Sequence, residues 1–184
     1  MRYKEYNVNR VLDKSMTLFW NQGFRGCSIK DLVNETNVNR FSLYHEFTNK
    51  EGILYQSLKY YREKQSSNNI EILKEKGNAS NILKAFYFSF LNKENAIKGC
   101  YIIHIGTELA DSDDQIKIIV NDYLKEIKEQ FVLLLVRHAY NEIKANQLAI
   151  HLLGLFCTSM SFCLIHTEDR RARHIENGIK TILN

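Results

Sequence analysis

The chain has 184 residues, of which 45% are hydrophobic and 25% are charged. This composition is ordinary for a soluble globular protein and excludes an intrinsically disordered chain. There is no proline and there are only 8 glycines, which argues against an all-β sandwich or barrel and favours long helices. We therefore expect an all-α fold.

The four cysteines indicate neither a metal site nor a disulfide framework. They form no CxxC pair and no cluster with histidine, so we expect no metal and no cofactor. They are Cys27, Cys100, Cys157 and Cys163. The first 14 residues carry charges throughout and lack the apolar stretch of a secretion signal. We therefore expect a reduced, cytoplasmic protein.

The net charge of +4 is concentrated at one end of the chain. Residues 1–64 contain 11 Lys or Arg and 7 Asp or Glu, whereas residues 65–184 contain 14 of each kind. A basic excess in the first third predicts an anionic partner there and a neutral body behind it.

Two helices are predicted at the start of the chain. Apolar residues recur at three- and four-residue spacing from residue 8 to 20 and predict a helix that ends at Gly23. Ser28 and Asp31 form a capping box (S-x-x-D) that opens a short second helix. This helix is expected to end at Asn37, because asparagine can adopt the left-handed conformation that a tight turn needs.

A third short helix and a longer fourth helix follow. Asn39 can cap the third helix, and Thr48 with Glu51 forms a second capping box (T-x-x-E) that opens the fourth. The first 48 residues are thus predicted to be a three-helix domain. Residues 66–80 are polar and predict a loosely packed connection. Further helices are expected at about 80–92, 97–110, 113–140, 144–167 and 169–183.

The segment from residue 145 to 167 contains no Lys, Arg, Asp or Glu. The many polar side chains in the segment favour a buried helix over a membrane span. In a small protein the second side of such a helix is often covered by another subunit, and Gly154, Thr158 and Ser161 would let a partner approach closely. We expect a homodimer with no membrane partner. The predicted interface residues are Leu152, Leu155, Phe156, Ser159, Ile175 and Ile179.

Two short helices joined by a tight turn, behind a packing helix and rich in positive charge, are typical of a helix-turn-helix DNA-binding unit. The run SIKDLVNETNVNRFSLYHEFTNKEGIL (28–54) resembles the DNA-binding signature of the tetracycline-repressor (TetR) family of bacterial regulators. The matching positions include Gly23-Phe24, Ser28, Val38, Tyr44, Phe47, Lys50 and Glu51. The run at 99–113 resembles a ligand-domain segment in a subset of that family. Asn37 and Phe41 depart from the pattern, because those positions usually hold glycine and a small residue.

The resemblance, together with helix position, assigns DNA contacts to seven residues: Ser28, Arg40, Phe41, Ser42, Tyr44, His45 and Lys50. Arg40 and Ser42 are expected at base edges or at phosphates, and Tyr44 at a phosphate. Lys50 would bind a phosphate at a helix N-terminus. Phe41 would contact thymine methyl groups or change how deeply the helix sits.

The resemblance also implies an all-α fold with an N-terminal helix-turn-helix domain (1–48) and a C-terminal helical ligand-binding and dimerisation domain (49–184). An effector pocket is predicted around the following residues, for which ordinary core packing is the alternative: Tyr61, Phe86, Phe90, His104 and Glu108.

The expected function is that of a ligand-responsive transcriptional regulator, a repressor that binds a palindromic operator in double-stranded DNA as a homodimer. The fourth helix would link the DNA-binding domain to the effector domain. We expect no enzyme activity and assign no catalytic residue. Two alternatives stay open: a thiol sensor that uses Cys100, and a small helical enzyme that uses His104 and Glu108.

Overall fold

The structure is a computed structural model that describes residues 6–91 and 99–184. These residues form ten α-helices joined by turns and short helical segments of other types, and they include no β-strand. The all-α prediction is confirmed. The ends of two predicted helices, at residues 92 and 97–98, lie outside the described residues. The chain divides into two compact units, the first of which ends at Ser66.

The first unit contains four helices: α1 (Val8–Gln22), α2 (Ile29–Thr36), α3 (Arg40–Phe47) and α4 (Lys50–Tyr61). A π-helical turn, Arg62–Ser66, follows α4. Phe19 of α1 is fully buried, and α1 ends at Gly23, whose φ of 75° is left-handed and whose N–H donates to the Phe19 carbonyl oxygen. The predicted first helix and its glycine end are present.

The first unit extends beyond the predicted boundary at residue 48 because α4 packs along α1. Ile53, Leu54 and Leu58 of α4 are at most 1% exposed. At the far end of α4, the Tyr61 ring meets the Trp20 ring edge-on, with 5.5 Å between ring centroids. The predicted linking helix is therefore part of the core that supports the predicted helix-turn-helix.

The second unit contains the remaining helices: α5 (Ser67–Glu71), α6 (Ala79–Ser89), α7 (Tyr101–Leu109), α8 (Asp114–Arg137), α9 (Glu142–Ser161) and α10 (Glu168–Leu183), with 3₁₀ turns at Ile72–Lys74 and Phe162–Leu164. The long predicted helix at 144–167 is shorter than expected, since it gives way to a 3₁₀ turn after Ser161. Among the described residues, no helix is both long enough and apolar enough to span a bilayer.

The predicted loose connection at 66–80 is wrong over its first half. Ser67–Lys74 is helical, and Ile70 and Leu73 are at most 3% exposed. The end of α8 holds this segment in place. The Arg137 guanidinium donates to the carbonyl oxygens of Leu73 and Lys74, and a tertiary clamp of this kind has no local sequence signal.

Candidate DNA-binding interface

The turn between α2 and α3 is built by local hydrogen bonds. Asn37 adopts the predicted left-handed conformation, with φ of 57°, and its N–H donates to the Val33 carbonyl oxygen. The Thr36 hydroxyl donates to the Leu32 carbonyl oxygen at 2.7 Å and accepts the Val38 N–H at 3.3 Å. Because Leu32 and Val38 are both buried, the turn fixes the orientation of α3 against α2.

The predicted capping box at the start of α2 is present. The Asp31 N–H donates to Ser28 Oγ at 3.2 Å, and the Ser28 N–H donates to Asp31 Oδ2 at 2.8 Å. The Ser28 hydroxyl donates to the same carboxylate oxygen at 2.6 Å. These bonds hold the pKa of the Asp31 carboxyl below its ordinary value of 3.8. Ser28 is exposed, but its hydroxyl hydrogen is engaged with Asp31 and is not directed to solvent.

Helix α3 has one buried side and one side open to solvent. Its first turn is capped by Asn39, whose Oδ1 accepts the Ser42 N–H at 2.9 Å. Leu43 and Phe47 are at most 2% exposed and pack into the first unit. The remaining predicted DNA contacts on α3 lie away from this core. Arg40, Phe41 and His45 are exposed, and Ser42 and Tyr44 are half-buried.

The open side of α3 carries two stacked pairs of side chains, and the two members of each pair lie one helical turn apart. The Arg40 guanidinium carbon lies 5.1 Å from the centre of the Tyr44 ring. The Phe41 and His45 rings stack with 6.3 Å between centroids and 29° between planes. Sequence reasoning missed Tyr6, whose hydroxyl donates to the Ser42 carbonyl oxygen at 3.3 Å. No motif marks that contact, which joins residues 36 apart in sequence.

Lys50 lies in the first turn of α4, but the predicted capping box there is wrong. Asn49 caps α4 by accepting the Gly52 N–H at 2.7 Å, whereas Thr48 ends α3 with φ of 73°. The Lys50 ammonium lies 4.1 Å from the centre of the Phe24 ring, a cation–π contact. The positive end of the α4 helix dipole and this cation lie together, an arrangement that favours an anionic group.

The six residues predicted for the dimer interface are buried within their own protomer, so that prediction needs correction. Leu155 is 8% exposed, and Leu152, Phe156, Ser159, Ile175 and Ile179 are at most 1% exposed. Such side chains cannot form a surface for a partner. The exposed side of α9 instead carries Gln147, Ile150, His151, Gly154, Thr158 and Ser161. A groove of about 490 Å³ follows α10, lined by Phe162, His166, Arg170, Arg173, His174, Asn177, Gly178, Thr181 and Ile182.

The predicted effector pocket is not assembled from the residues named for it. Phe86 and Phe90 are buried and pack against Phe156 with ring centroids 5.5 and 5.1 Å apart, so they fill the core of the second unit. Tyr61 packs on Trp20 in the first unit. His104 and Glu108 lie half-buried on α7, and their role stays a prediction. Within residues 6–91 and 99–184, no group of three or more His, Cys, Asp or Glu is arranged to hold a metal ion.

The environment of the thiols does not favour the sensor alternative. Cys100 is 1% exposed, and its Sγ lies 3.6 Å from the Tyr123 hydroxyl oxygen. Burial raises the pKa of the Cys157 and Cys163 thiols, and it raises the pKa of the Cys27 thiol to about 11. A buried thiol with a raised pKa carries little of the reactive thiolate.

Comparison with known proteins connects the N-terminal geometry to a family. Residues 11–56 match the family model of bacterial regulatory proteins, tetR family. Over 156 residues the chain is 28% identical to the HTH-type transcriptional repressor ComR of Escherichia coli (strain K12), which covers 82% of this chain and 74% of ComR.

Solved structures share the fold over nearly the whole chain. The TetR family regulator CifR, a cysteine mutant complexed with 26-base-pair double-strand operator DNA, is similar with a TM-score of 0.87 and 15% identity over 98% of both chains. The reduced form of E. coli NemR is similar with a TM-score of 0.78 and 18% identity, over 96% of this chain and 95% of that one. At these identities the likeness is one of fold.

Proposed function

Because the chain belongs to the TetR family of DNA-binding transcriptional regulators, we propose that it is a repressor that binds a palindromic operator as a homodimer and is released by a small molecule. The observation that carries this proposal is the open side of α3. There Arg40, Phe41 and His45 are exposed opposite a buried Leu43 and Phe47. We also propose that the protein has no catalytic activity and that it acts in the cytoplasm, where the operator lies.

The residues of α3 and α4 would divide the work of binding. In a helix-turn-helix complex, the N-terminal residues of the recognition helix meet base edges in the major groove. Arg40 and Ser42 occupy that part of α3, whereas Tyr44 lies one turn after Arg40 and Lys50 lies at the start of α4. We assign base contacts to Arg40 and Ser42 and phosphate contacts to Tyr44 and Lys50. Phosphate contacts fix the position of the protein on the duplex but do not select a base sequence.

A palindromic operator requires two copies of α3 about 34–36 Å apart, one for each half-site. We place the dimer contact on the exposed side of α9, which carries no Lys, Arg, Asp or Glu between residues 145 and 161. Gly154 has no neighbouring atom within 4 Å of the position that a Cβ would take. A partner helix could therefore approach the α9 backbone closely there, next to the groove along α10.

Release by an effector follows from differential affinity. Small-molecule binding is typical of the family. A molecule that binds better to a state in which the two recognition helices are wrongly spaced lowers DNA affinity by the ratio of its affinities for the two states.

The test is the affinity of the purified protein for DNA upstream of its own gene, measured by fluorescence anisotropy at several salt concentrations. The matched charge variants are Lys50→Gln at the proposed interface and Lys125→Gln on an exposed position of α8. Each phosphate contact contributes about 0.9 to the slope of log K against log salt. Lys50→Gln should therefore lower the slope by about 2 in a dimer with two such contacts, and Lys125→Gln should leave it unchanged.

Two further variants separate positioning from base recognition. Tyr44→Phe should weaken binding to specific and random DNA alike, whereas Arg40→Ala should also relax base preference. Wild-type protein that binds the upstream DNA no better than random DNA would refute the proposed function. Wild-type affinity in both Lys50→Gln and Tyr44→Phe would refute the assignment of the interface.

A further inference from the structure

Phe41 is the most exposed large apolar side chain among the described residues, with 81% of its surface in solvent. Burying a phenylalanine side chain stabilises a protein by about 1.5–3 kcal/mol relative to leaving it in water. The side chain makes no such contribution in the first unit alone, since Leu43 and Phe47 of the same helix form its buried side. This exposed aromatic ring on an otherwise polar helix surface is therefore available for an apolar contact with a partner.

The position of the ring limits what that partner is. Phe41 is the second residue of α3, directly after Arg40 and before Ser42. In the docking geometry of a recognition helix, the N-terminal residues lie against base edges in the major groove. This step rests on the proposed function, since it takes α3 to be the helix that enters the major groove.

The ring is also held in place. The His45 ring stacks against it one turn along α3, at 6.3 Å between centroids and 29° between planes. On a helix, side chains four residues apart are neighbours, so this pair restricts the rotation of the Phe41 side chain before DNA binds. Aromatic side chains held in this way lose little conformational entropy on binding.

Base edges in the major groove offer one apolar group. The edges of guanine, cytosine and adenine present hydrogen-bond donors and acceptors, whereas thymine adds a C5 methyl group. A phenyl ring cannot satisfy a donor or an acceptor, and covering one without a hydrogen bond is costly. The C5 methyl is the chemical complement of the ring.

We propose that Phe41 is a specificity-determining residue that contacts the C5 methyl group of a thymine in each operator half-site, with His45 as the residue that positions its ring. The affinity of the protein for its operator then depends on that methyl group, and the dependence requires Phe41. The same position selects thymine over cytosine without a hydrogen bond.

The experiment is a double-mutant cycle between protein and DNA. Each thymine of the operator is replaced in turn by deoxyuridine, which removes only the methyl group, and binding of wild-type protein and Phe41→Ala is measured by fluorescence anisotropy. Burial of one methyl corresponds to about a fourfold change in affinity. We expect the wild-type protein to lose about fourfold at one thymine when one half-site is changed, and about 15-fold when both are changed. Phe41→Ala should bind the thymine and deoxyuridine operators equally.

Two further variants test the role of His45. His45→Ala should reduce the effect of the methyl group, and His45→Phe, which restores a stacked ring, should recover it. Ile118→Ala removes an exposed apolar side chain from α8 and serves as the control; its response to deoxyuridine should equal that of the wild type. Because Phe41 is exposed, Phe41→Ala should keep the far-ultraviolet circular dichroism of the wild type, and Phe41→Leu provides a second variant that retains an apolar side chain.

The outcomes separate this inference from the proposed function. If every deoxyuridine substitution changes the binding of wild type and Phe41→Ala by the same factor, Phe41 does not contact a methyl group and the inference is wrong, while operator binding stands. A Phe41→Ala protein that binds every operator as tightly as the wild type overturns the inference as well. Wild-type protein with no preference for its upstream DNA refutes both.

Discussion

Replacing Gly154 by arginine tests the proposed dimer surface without disturbing the protomer. Apart from its chain neighbours and the backbone of α9 itself, no atom lies within 4 Å of the position that a Cβ would take at Gly154, so the single chain has room for a side chain there. Gly154 is also inside α9, where glycine is about 1 kcal/mol less favourable than a good helix former such as arginine. Folding of the protomer should therefore be unchanged or stabilised by up to about 1 kcal/mol.

The dimer should respond in the opposite direction. If the exposed side of α9 forms the interface, Gly154→Arg places an unpaired guanidinium in a buried contact, and an uncompensated buried charge costs about 3–5 kcal/mol. Since about 1.4 kcal/mol is a factor of ten in an equilibrium constant, the dimer dissociation constant should rise at least about 100-fold. Operator affinity should fall with it, because a monomer engages one half-site.

Sedimentation equilibrium measures the dissociation constant, and thermal unfolding measures protomer stability. Ile118→Arg is the matched control, because it adds the same side chain at an exposed position of α8. It should remain dimeric. A Gly154→Arg protein that dimerises like the wild type would show that α9 does not form the interface at this residue. A loss of helical content would show instead that the space around Gly154 is not open.

Three further predictions concern local structure. Gly99→Ala should destabilise the protein by about 2–4 kcal/mol in urea unfolding, because Gly99 has φ of 71° and an added Cβ would lie 2.2 Å from the Met160 carbonyl oxygen. The control, Gly154→Ala, should be neutral or stabilising. Equal stability of the two variants would contradict this prediction. The lowered pKa of Asp31 stabilises the folded state at pH values above 3.8, the ordinary pKa of the group. This stabilisation is lost as the pH falls through the pKa of Asp31 in the folded state. Asp31→Asn should therefore weaken the acid dependence of unfolding, and an unchanged pH profile would refute the linkage. With its pKa raised to about 11 and 1% exposure, Cys27 should resist iodoacetamide at pH 8 until the protein is unfolded, and rapid labelling of the folded protein would show that the thiol is accessible.

The N-terminal motif could be predicted because its signals are local. A helix cap joins residues three apart, as between Ser28 and Asp31 or between Asn39 and Ser42, so the residue types suffice to indicate it. The left-handed turn at Asn37 is equally local. The predicted cap at the start of α4 was wrong by one residue: Thr48 and Asn49 are both capping residue types, and Thr48 ends α3 while Asn49 caps α4.

The second unit was harder to predict because an apolar face does not specify what covers it. The periodicity of α9 marks Leu152 and Phe156 as buried, but the same pattern results whether a helix packs on its own chain or on a partner. The structure shows the former. Phe86 and Phe90 present the same ambiguity between core and pocket. Ile70 and Leu73 were hidden in a polar run, since their burial comes from tertiary packing: α5 contacts α6, and the 3₁₀ turn after it contacts α6 and α8.

The contact between Lys50 and Phe24 affects how the chain would meet a phosphate. A lysine side chain has about 2 kcal/mol of rotamer entropy to lose when it is immobilised. The aromatic face 4.1 Å from its ammonium already restricts that motion in the absence of nucleic acid. Part of the ordering that ion pairing with a phosphate would require is thus already present in the free protein. The ring in this way makes a flexible cation behave as a rigid one.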